Sequence, residues 1–330
     1  MRAPRRVTVA VTTLLLLAAT ATACGGEDES GGGSNSADRI RFGYISDYNG
    51  ASPLAVADEQ DLWEKYELAP ETTVFTNGPI QIQALGSGDL DFGYIGPGAM
   101  WLPASDRAEV IAINTLAYAD RVIAQPGIGS VADLAGRKVG VPEGTSGEMV
   151  LGLALREAGM TTDDIEVVPM DPATVVSAFA SGQIDAAGIW YPLIDTIKEQ
   201  VPELVEVAST RDFPDDSFPT AFVAGNDVDE DVTTRVVRLL QEANDWRAAH
   251  PDETVELTAE LLEISPEAVA ADAANIELLT TDELLAATED GTAGQWLDGL
   301  AEFFVETGKL ESVPAWDGYY NAERYVEAAR

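Results

Sequence analysis

Short apolar runs alternate with segments of helical periodicity along most of the chain. Strands and helices that alternate in this way build βαβ units and mainly parallel sheets. The pattern predicts strands at residues 40–45, 72–75, 92–95, 110–116, 122–124, 138–141, 165–169, 186–190, 204–207 and 221–224. It predicts helices at residues 53–65, 80–87, 146–158 and 174–181. We therefore predict an α/β fold.

The pattern changes after the last predicted strand. Residues 229–328 have a largely helical pattern with breaks at Pro251, Pro266, Gly291 and Gly308. Pro and Gly mark the starts and ends of helices, so these breaks divide the region into several helices. We expect a helical C-terminal part.

A partial internal repeat divides the α/β region into two units. The stretch ALGSGDLDFGYI at 84–95 recurs as AFASGQIDAAGI at 178–189, with Ala, Ser, Gly, Asp and Ile in register. In both copies a predicted helix ends at Ser-Gly, where glycine can form the C-cap, and a turn with Asp leads into a strand. Such turns favour Gly and Asp in any protein, but the two copies occupy the same place in successive units. The repeat therefore indicates two related lobes.

The N-terminus has the pattern of an export signal. Three arginines among the first six residues precede an apolar run over 7–19, and small residues follow before Cys24. The apolar run is shorter than the roughly 20 residues that a membrane-spanning helix needs. We predict a signal peptide at 1–23.

Cys24 resembles the lipidated cysteine of a bacterial lipobox, although Ala21 stands where Leu is usual. We predict that its lipid anchors the protein to the outer face of the cell membrane. An ordinary cleaved signal with a coincidental cysteine is the alternative. Residues 24–37 are rich in Gly, Ser and acids, so we expect a flexible tether. Because Cys24 is the only cysteine, the chain has no internal disulfide.

The charge of the chain limits its partners. The 57 acidic and 19 basic residues give a formal net charge of −38. Such a charge argues against nucleic acid and anionic lipid as partners. It does not by itself imply a cationic ligand, because the acids are spread over the whole sequence. We expect a monomer.

Three stretches carry a resemblance to a known family. They are ALGSGDLDFGYIGPG from residue 84, SVADLAGRKVGVPEGTSGEMVLGLALREAGM from residue 130 and SGQIDAAGIWYP from residue 181. They resemble the ABC-importer solute-binding proteins for taurine, alkanesulfonates, nitrate and thiamine precursors. The resemblance spans about residues 39–224 and says little about the ligand.

This resemblance implies a two-lobed, periplasmic-binding-protein-like fold of type II. A small ligand would bind in the cleft between the lobes and be delivered to the membrane permease of an ABC transporter. Two crossover strands near 117–122 and 218–224 would join the lobes. Lobe 1 would comprise residues 38–119 and 222–330, and lobe 2 would comprise residues 120–221.

The candidate ligand-binding residues follow predicted strands. Ligands of open α/β sheets lie beyond the carboxyl ends of the strands, where helix N-termini present free N–H groups. Three junctions fit this rule: 46–50, then 96–98 with 77–79 nearby, and 143–148 before a long helix. From these junctions we predict ligand contacts for Asp47, Tyr48, Asn49, Asn77, Pro97, Gly98, Thr145, Ser146 and Glu148.

The junction at 143–148 is the best anion site in the sequence. Thr145 and Ser146 offer hydroxyls, and the glycines beside them let the backbone approach a ligand. The same residues could have a structural role alone, because Thr145 and Glu148 have the spacing of a capping box. Sulfonate binders of the resembling family often have a histidine near Glu148, so an acid here favours an amine over a bare anion.

Further candidates come from the resemblance. In its taurine-type members an acid before the first crossover pairs with the ligand's ammonium, and Asp120 has this position; a surface pair with Arg121 is the alternative. Trp190 and Tyr191 could cover an alkyl chain or an ammonium group, although aromatic residues at a strand end are also ordinary packing. Thr220 is a candidate after the second crossover, where another acid would be expected.

These residues favour a zwitterion such as taurine or a related aminosulfonate. Its acidic head would lie at Thr145 and Ser146, and its ammonium near Asp120. A thiamine-precursor pyrimidine or another organic amine is the alternative. No arginine is placed in the predicted cleft, which argues against nitrate or sulfate.

An enzyme and a surface sensor are the alternative classes of function. Pyrimidine synthases for thiamine share the resembling fold, but nucleophilic and metal chemistry usually needs His, Cys or clustered carboxylates. The only histidine, His250, stands near a predicted helix end. We predict no catalytic residue, no metal site and no cofactor. A sensor would have an apolar cleft without a ligand, whereas a receptor closes on a small molecule.

Overall fold

The computed structural model describes residues 37–330. The predicted signal peptide, Cys24 and nearly all of the predicted tether lie outside these residues. Within 37–330 no helix is both long enough and apolar enough to cross a membrane. The described residues form the predicted α/β fold, with two separate sheets.

Six strands form the first sheet. They are β1 Asp38–Ile45, β2 Leu68–Phe75, β3 Phe92–Ile95, β4 Glu109–Ala117, β10 Pro219–Ala224 and β11 Ile276–Leu278. Their order is β11-β4-β10-β3-β1-β2. Strands β2, β1 and β3 are parallel, whereas β10 runs antiparallel between β3 and β4.

Five strands form the second sheet. They are β5 Asp120–Ala124, β6 Lys138–Val141, β7 Glu166–Pro169, β8 Ala186–Trp190 and β9 Val205–Ser209. Their order is β7-β6-β8-β5-β9, and β5 runs antiparallel between β8 and β9. The position of β5 is thus equivalent to that of β10 in the first sheet. The chain passes from the first sheet to the second at β5 and returns at β10.

We call each sheet with the helices around it a lobe, the first lobe being that of the first sheet. The residues at which one lobe ends and the other begins stay a prediction. The helices are α1 Tyr48–Glu59, α2 Leu62–Lys65, α3 Gly78–Ser87, α4 Ser146–Glu157, α5 Pro172–Ala180, α6 Leu193–Lys198, α7 Glu230–Ala249, α8 Pro251–Leu262, α9 Pro266–Ala273, α10 Thr281–Glu289, α11 Thr292–Glu306 and α12 Ala322–Ala328.

The internal repeat corresponds to a repeated structure. Gly88 after α3 and Gly182 after α5 have left-handed φ angles of 73° and 70°, which end both helices. Asp91 accepts a hydrogen bond from a backbone N–H of β1 at 2.7 Å, and Asp185 accepts one from β6 at 2.9 Å. In each lobe the repeated Asp therefore ties the helix-to-strand turn to the neighbouring strand.

The predicted helix after β1 differs from the structure. It begins at Tyr48, not at 53, because Asp47 is the N-cap and its Oδ1 accepts from Gly50 N at 2.7 Å. Pro53 lies inside α1, and the Asn49 carbonyl that it leaves free accepts from a side-chain amide of Asn114 at 3.1 Å. Strand β11 and helix α6 were not predicted, and both are short.

The central strands of both sheets are buried on both faces. In β5, Val122 and Ala124 pack into one apolar cluster and Ile123 into another, because alternate residues of a strand point to opposite faces. This explains why predicted central strands such as 186–190 are continuous apolar runs with no alternation. The C-terminal helices pack on the first sheet, where Val236, Leu297 and Tyr325 belong to its core.

Candidate functional site

A small pocket lies between the two lobes, at the carboxyl ends of β1, β3 and β8. The N-termini of α1, α3 and α4 form part of its wall. This is the place where ligands bind in open α/β sheets. Ten of the predicted site residues line the pocket: Asp47, Asn49, Asn77, Pro97, Asp120, Thr145, Ser146, Trp190, Tyr191 and Thr220.

Three predicted site residues do not line this pocket. Tyr48 packs against α8 and α9 through Ala259 and Val269. Gly98 and Glu148 line a second cavity, which lies between α4 and α11. The structure thus gathers most of the predicted residues in one place, and their contact with a ligand stays a prediction.

The first-lobe wall is held by hydrogen bonds among its polar side chains. Asn49 Oδ1 accepts from the hydroxyl of Thr115 at 2.7 Å, and Thr220 Oγ1 accepts from Thr115 N at 3.2 Å. Asn77 is the N-cap of α3, and its Oδ1 accepts from Ile80 N at 3.1 Å. These bonds hold the side chains in place, and the Nδ2 group of Asn49 takes no part in them.

Two carboxylates meet at the N-terminus of α1. Asp47 caps the helix, and Asp272 from α9 accepts a hydrogen bond from Tyr48 N at 2.7 Å. Both side chains are buried, with 8% and 3% of their surface exposed. The N-terminal end of a helix carries a partial positive charge that favours such acids.

Asp272 is a pocket residue that sequence reasoning missed. It lies in an alanine-rich helix far from any strand end, and only the packing of the C-terminal helices brings it to α1. No local signal in the sequence could have found it. The other lining residues that were not predicted stand at or beside strand ends and helix starts: Ile45, Gly78, Tyr94, Gly96, Ala99, Ala117 and Ala119.

Asp120 is the first residue of β5 and is 2% exposed. Its Oδ1 atom has no hydrogen-bond partner among the described residues. The alternative of a surface pair with Arg121 does not apply, because Arg121 Nε binds Glu206 Oε2 at 2.9 Å. A buried carboxylate oxygen therefore lines the pocket with an unused capacity to accept a hydrogen bond.

Burial raises the pKa of Asp120 to about 6, and the Ser146 hydroxyl and the charge of Arg121 oppose part of this rise. Burial also raises the pKa of Asp272 to about 7, despite the hydrogen bond from Tyr48 N. A dry environment favours the neutral form of a carboxyl group. The pocket therefore holds acids that ionise readily only when a cation accompanies them.

Asp47 has the same environment as Asp272. Its pKa is raised well above the ordinary value by burial and by the charge of Asp272. In the part of the chain that the structure describes, no Lys, Arg or His lines the pocket. The pocket wall is thus acidic, with three carboxyl groups and no basic side chain.

A buried cation, Arg247, stands behind α1. It is fully buried and donates to Ser52 Oγ at 2.9 Å, to Asn114 Oδ1 at 2.6 Å and to Asn244 Oδ1 at 2.7 Å. Burial lowers its pKa to about 10. These bonds direct the guanidinium towards neutral acceptors, and Arg247 does not line the pocket.

The N-terminus of α4 forms the second-lobe wall. Thr145 is its N-cap residue, but its hydroxyl donates to Pro142 O at 2.6 Å and not to the helix. Glu148 accepts from Gly144 N at 2.7 Å and pairs with Lys309 Nζ at 2.9 Å. The expected capping box between Thr145 and Glu148 is therefore wrong, since both side chains have other partners.

Two aromatic residues close the pocket on the second-lobe side. Trp190 and Tyr191 are 7% and 8% exposed. Tyr191 OH donates to Glu206 Oε1 at 2.5 Å, and Lys198 Nζ lies 4.8 Å from the centre of the Tyr191 ring. These contacts hold the ring in one orientation, so that the wall is preformed.

The lobes touch on both sides of the pocket. A Cβ atom added to Gly98 would lie 2.2 Å from Ser146 N, so only glycine allows this approach. Farther out, Arg156 of α4 pairs with Glu306 of α11 at 2.8 Å, and Arg211 donates to Ala274 O at 3.0 Å. The cleft is therefore closed in this structure.

The closed pocket is small. The centre of a water molecule can occupy about 40 Å³ of it. Within residues 37–330, no three His, Cys, Asp or Glu side chains are grouped so that they could hold a metal ion. The space and the wall suit an organic molecule of few heavy atoms.

Comparison with known proteins identifies the family. Residues 59–271 match the family described as ABC transporter, phosphonate, periplasmic substrate-binding protein. The chain therefore belongs to the periplasmic substrate-binding proteins of ABC importers. Proteins of this class bind small molecules and work with membrane permeases.

Relatives agree with this assignment. A protein of Brucella abortus (strain 2308), named only as a binding protein, is 54% identical over 291 residues, which cover 87% of this chain and 91% of the relative. A protein of Bacillus subtilis (strain 168), named for binding aliphatic sulfonates, is 27% identical over 253 residues, which cover 72% of this chain and 76% of the relative.

Solved structures show the same fold. The alkanesulfonate-binding protein SsuA from Xanthomonas axonopodis pv. citri bound to MOPS has a TM-score of 0.66 at 19% identity, covering 86% of this chain and 97% of its own. The desulfurization enzyme DSZB has a TM-score of 0.65 at 17% identity, covering 88% and 99%. The predicted periplasmic-binding-protein-like fold is confirmed, and this fold alone does not separate a receptor from an enzyme.

Proposed function

We propose that the protein captures a small amine-bearing solute between its lobes and delivers it to the permease of its ABC importer. The observation that carries this proposal is Asp120 Oδ1, a buried pocket atom that has no hydrogen-bond partner within residues 37–330. Buried polar atoms in proteins nearly always have partners, so an exception in a pocket points to a ligand. A carboxylate only accepts hydrogen bonds, so this ligand must donate one.

The charges of the pocket support an amine. Asp47, Asp120 and Asp272 line it, and no basic side chain does. An ammonium group would keep these carboxylates ionised and satisfy their oxygens, because an opposite charge at short range favours the charged form of an acid. Trp190 and Tyr191 add aromatic surface beside the site, which also suits a cation.

A taurine-like zwitterion is the second candidate. It is favoured by the N-terminus of α4 on the opposite wall, where Ser146 faces the pocket. The Bacillus subtilis relative is also named for binding sulfonates. The hydroxyl proton of Thr145 is already donated to Pro142 O, which weakens this anion site.

Capture would work by closure of the lobes. Asp47 and Asp272 belong to the first lobe, whereas Asp120 begins the second sheet. A ligand that bonds to both sides stabilises the closed arrangement relative to an open one. The contact of Gly98 with Ser146 would then form only when the cleft is shut.

The lipid anchor belongs to the same proposal. A signal peptide at 1–23 and a lipid on Cys24 would hold the receptor at the outer face of the membrane, beside its permease. A Cys24→Ser variant should then be found in the soluble fraction of expressing cells, while the unchanged protein stays with the membrane. Equal membrane fractions of both proteins would contradict the anchor.

A thermal-shift screen tests the function. The purified protein is heated with primary amines, taurine, alkanesulfonates and thiamine precursors. We expect amine-bearing ligands to raise the melting temperature, because a ligand that binds only the folded protein stabilises it. The Asp120→Asn variant should lose this shift, and Asp163→Asn, an exposed aspartate outside the pocket, should keep it. If sulfonates that lack an amino group stabilise the protein and no amine does, the proposal is overturned.

A further inference from the structure

We infer that the ligand is a compact organic cation that carries N–H donors and no acidic group. This inference rests on the proposed capture of an amine and narrows the substrate class. It separates this receptor from the sulfonate-binding proteins to which it is similar.

The charges around the pocket favour a cation. Asp47, Asp120 and Asp272 come from three distant parts of the chain and are at most 8% exposed. The N-termini of α1, α3 and α4 each contribute about half a positive charge and Arg247 lies behind α1, so three ionised carboxylates leave a small excess of negative charge. A cation neutralises this excess. A zwitterion has no net charge and adds an anionic group to an acidic wall.

No nearby basic side chain of the described residues lines the pocket. Arg121 pairs with Glu206 at 2.9 Å and also donates to Asn275 Oδ1 at 3.0 Å. Arg247 donates to three neutral side chains behind α1, and its Nε has no partner among the described residues. Neither arginine lines the pocket. The acidic head of a sulfonate or carboxylate ligand would therefore meet no cationic partner.

Among the described residues, the pocket wall has no hydrogen-bond donor for Asp120 Oδ1. Asp120 Oδ1 needs a donor, and Asp47 and Asp272 face the same space. A quaternary ammonium has charge but no N–H group, so it would leave the buried oxygen without a partner. An unsatisfied buried acceptor is costly, which excludes such ligands.

The pocket is small when the cleft is closed, because the centre of a water molecule can occupy only about 40 Å³ of it. A primary ammonium with a short alkyl group fits this room. So does a guanidinium ion, whose parallel N–H donors pair with carboxylates. The side-chain amide of Asn49 offers a neutral donor that suits a small hydroxyl or carbonyl group of the ligand.

Isothermal titration calorimetry with matched ligands tests the inference. Ethylammonium and taurine differ only by the sulfonate, ethanesulfonate lacks the amine, and tetramethylammonium lacks N–H donors. At pH 8 we expect ethylammonium or guanidinium to bind at least about tenfold more tightly than taurine, with no binding of the other two. Tighter binding of taurine than of both cations overturns this inference but leaves amine capture intact. Binding of ethanesulfonate alone, or of none of these ligands, overturns the proposed function as well.

A substitution at Asp272, the pocket residue that the sequence did not predict, gives a second test. Asp272→Asn keeps an oxygen that can accept from Tyr48 N but removes the charge. We expect it to lower the preference for ethylammonium over taurine by about tenfold or more, while Asp163→Asn leaves the ratio unchanged. A general loss of folding would lower the affinities for ethylammonium and taurine together. The ratio of the two affinities changes only if the charge of residue 272 matters. An unchanged ratio in Asp272→Asn contradicts the inference.

Discussion

Asp120 is the residue on which the account of the ligand depends. Its carboxyl group is fully buried, and one of its oxygens has no partner among the described residues. Such a group destabilises the folded protein in the absence of a ligand, because a buried charge without a partner is expensive. Perturbed acids in a cleft are typical of functional sites.

The substitution Asp120→Asn should separate stability from binding. It removes a buried charge, so we expect the melting temperature of the ligand-free protein at pH 8 to rise. The same change should weaken amine binding by roughly tenfold to a hundredfold, since a hydrogen bond to a charged group contributes about 1.5–3 kcal/mol. Calorimetry and thermal melting measure the two effects. An unchanged affinity would mean that Asp120 does not contact the ligand.

The raised pKa values of the pocket acids predict a pH dependence of stability. The pKa of Asp120 is raised to about 6 and that of Asp272 to about 7, so the folded protein holds more protons than the unfolded chain between about pH 4 and pH 7. Stability from these groups therefore falls as the pH rises through this range. The charge of Arg121 lowers the pKa of Asp120, whereas Asp195 raises that of Asp272.

A cationic ligand reverses this effect, because it favours the ionised carboxylates and expels protons when it binds. We expect the affinity for an amine to increase up to about tenfold per pH unit for each proton released, from pH 5 to about pH 7, and to level off above. Titrations in buffers of different ionisation enthalpy measure the released protons. An affinity that does not change between pH 5 and pH 8 would contradict the assignment of the three acids.

At the scale of the elements, most of the site residues that the sequence predicted lie at the ends of strands. Asp47, Asn77 and Ser146 could be predicted because each lies at a strand-to-helix junction, and parallel strands place such residues at one edge of the sheet. The two lobes could be predicted from the repeated helix-to-strand turn for a similar reason. Its Gly ends the helix and its Asp bonds to the neighbouring strand, so both residues have the same role in each copy.

Other contacts depend on tertiary packing and were missed or assigned wrongly. Asp272 reaches the pocket only because α9 packs beside α1. Glu148 has the spacing of a capping box with Thr145, but it contacts Gly144 N and Lys309 from α11. A sequence pattern shows which partners a residue could have close by in the sequence. It does not show partners from distant parts of the chain that compete for the same atoms.

The close approach of the 97–99 turn to α4 leads to a prediction about closure. In Gly98→Ala the new methyl group would lie 2.2 Å from Ser146 N, so the cleft could not close fully. Overpacking of this kind costs about 1–3 kcal/mol, and we expect amine binding to weaken by roughly tenfold to a hundredfold. Gly86→Ala is the matched control, because its methyl group would meet no atom within 4 Å. Equal affinities of the two variants would show that closure does not need this contact.

At the scale of the whole molecule, the net charge of −38 is a poor guide to the pocket. Most acids are spread over the sequence, and the three that matter come from α9, β5 and the turn before α1. What defines the site is the absence of basic side chains from its wall together with the burial of its acids. The family assigns the chain to ABC importers, and the kind of solute that we propose rests on the pocket.

A crystal structure of the protein with the amine that stabilises it most would test the central claim directly. We expect a closed cleft with the ligand nitrogen about 2.7–3.0 Å from Asp120 Oδ1 and beside Asp47 and Asp272. A ligand bound elsewhere, or one whose acidic group occupies the place beside Asp120, would contradict it.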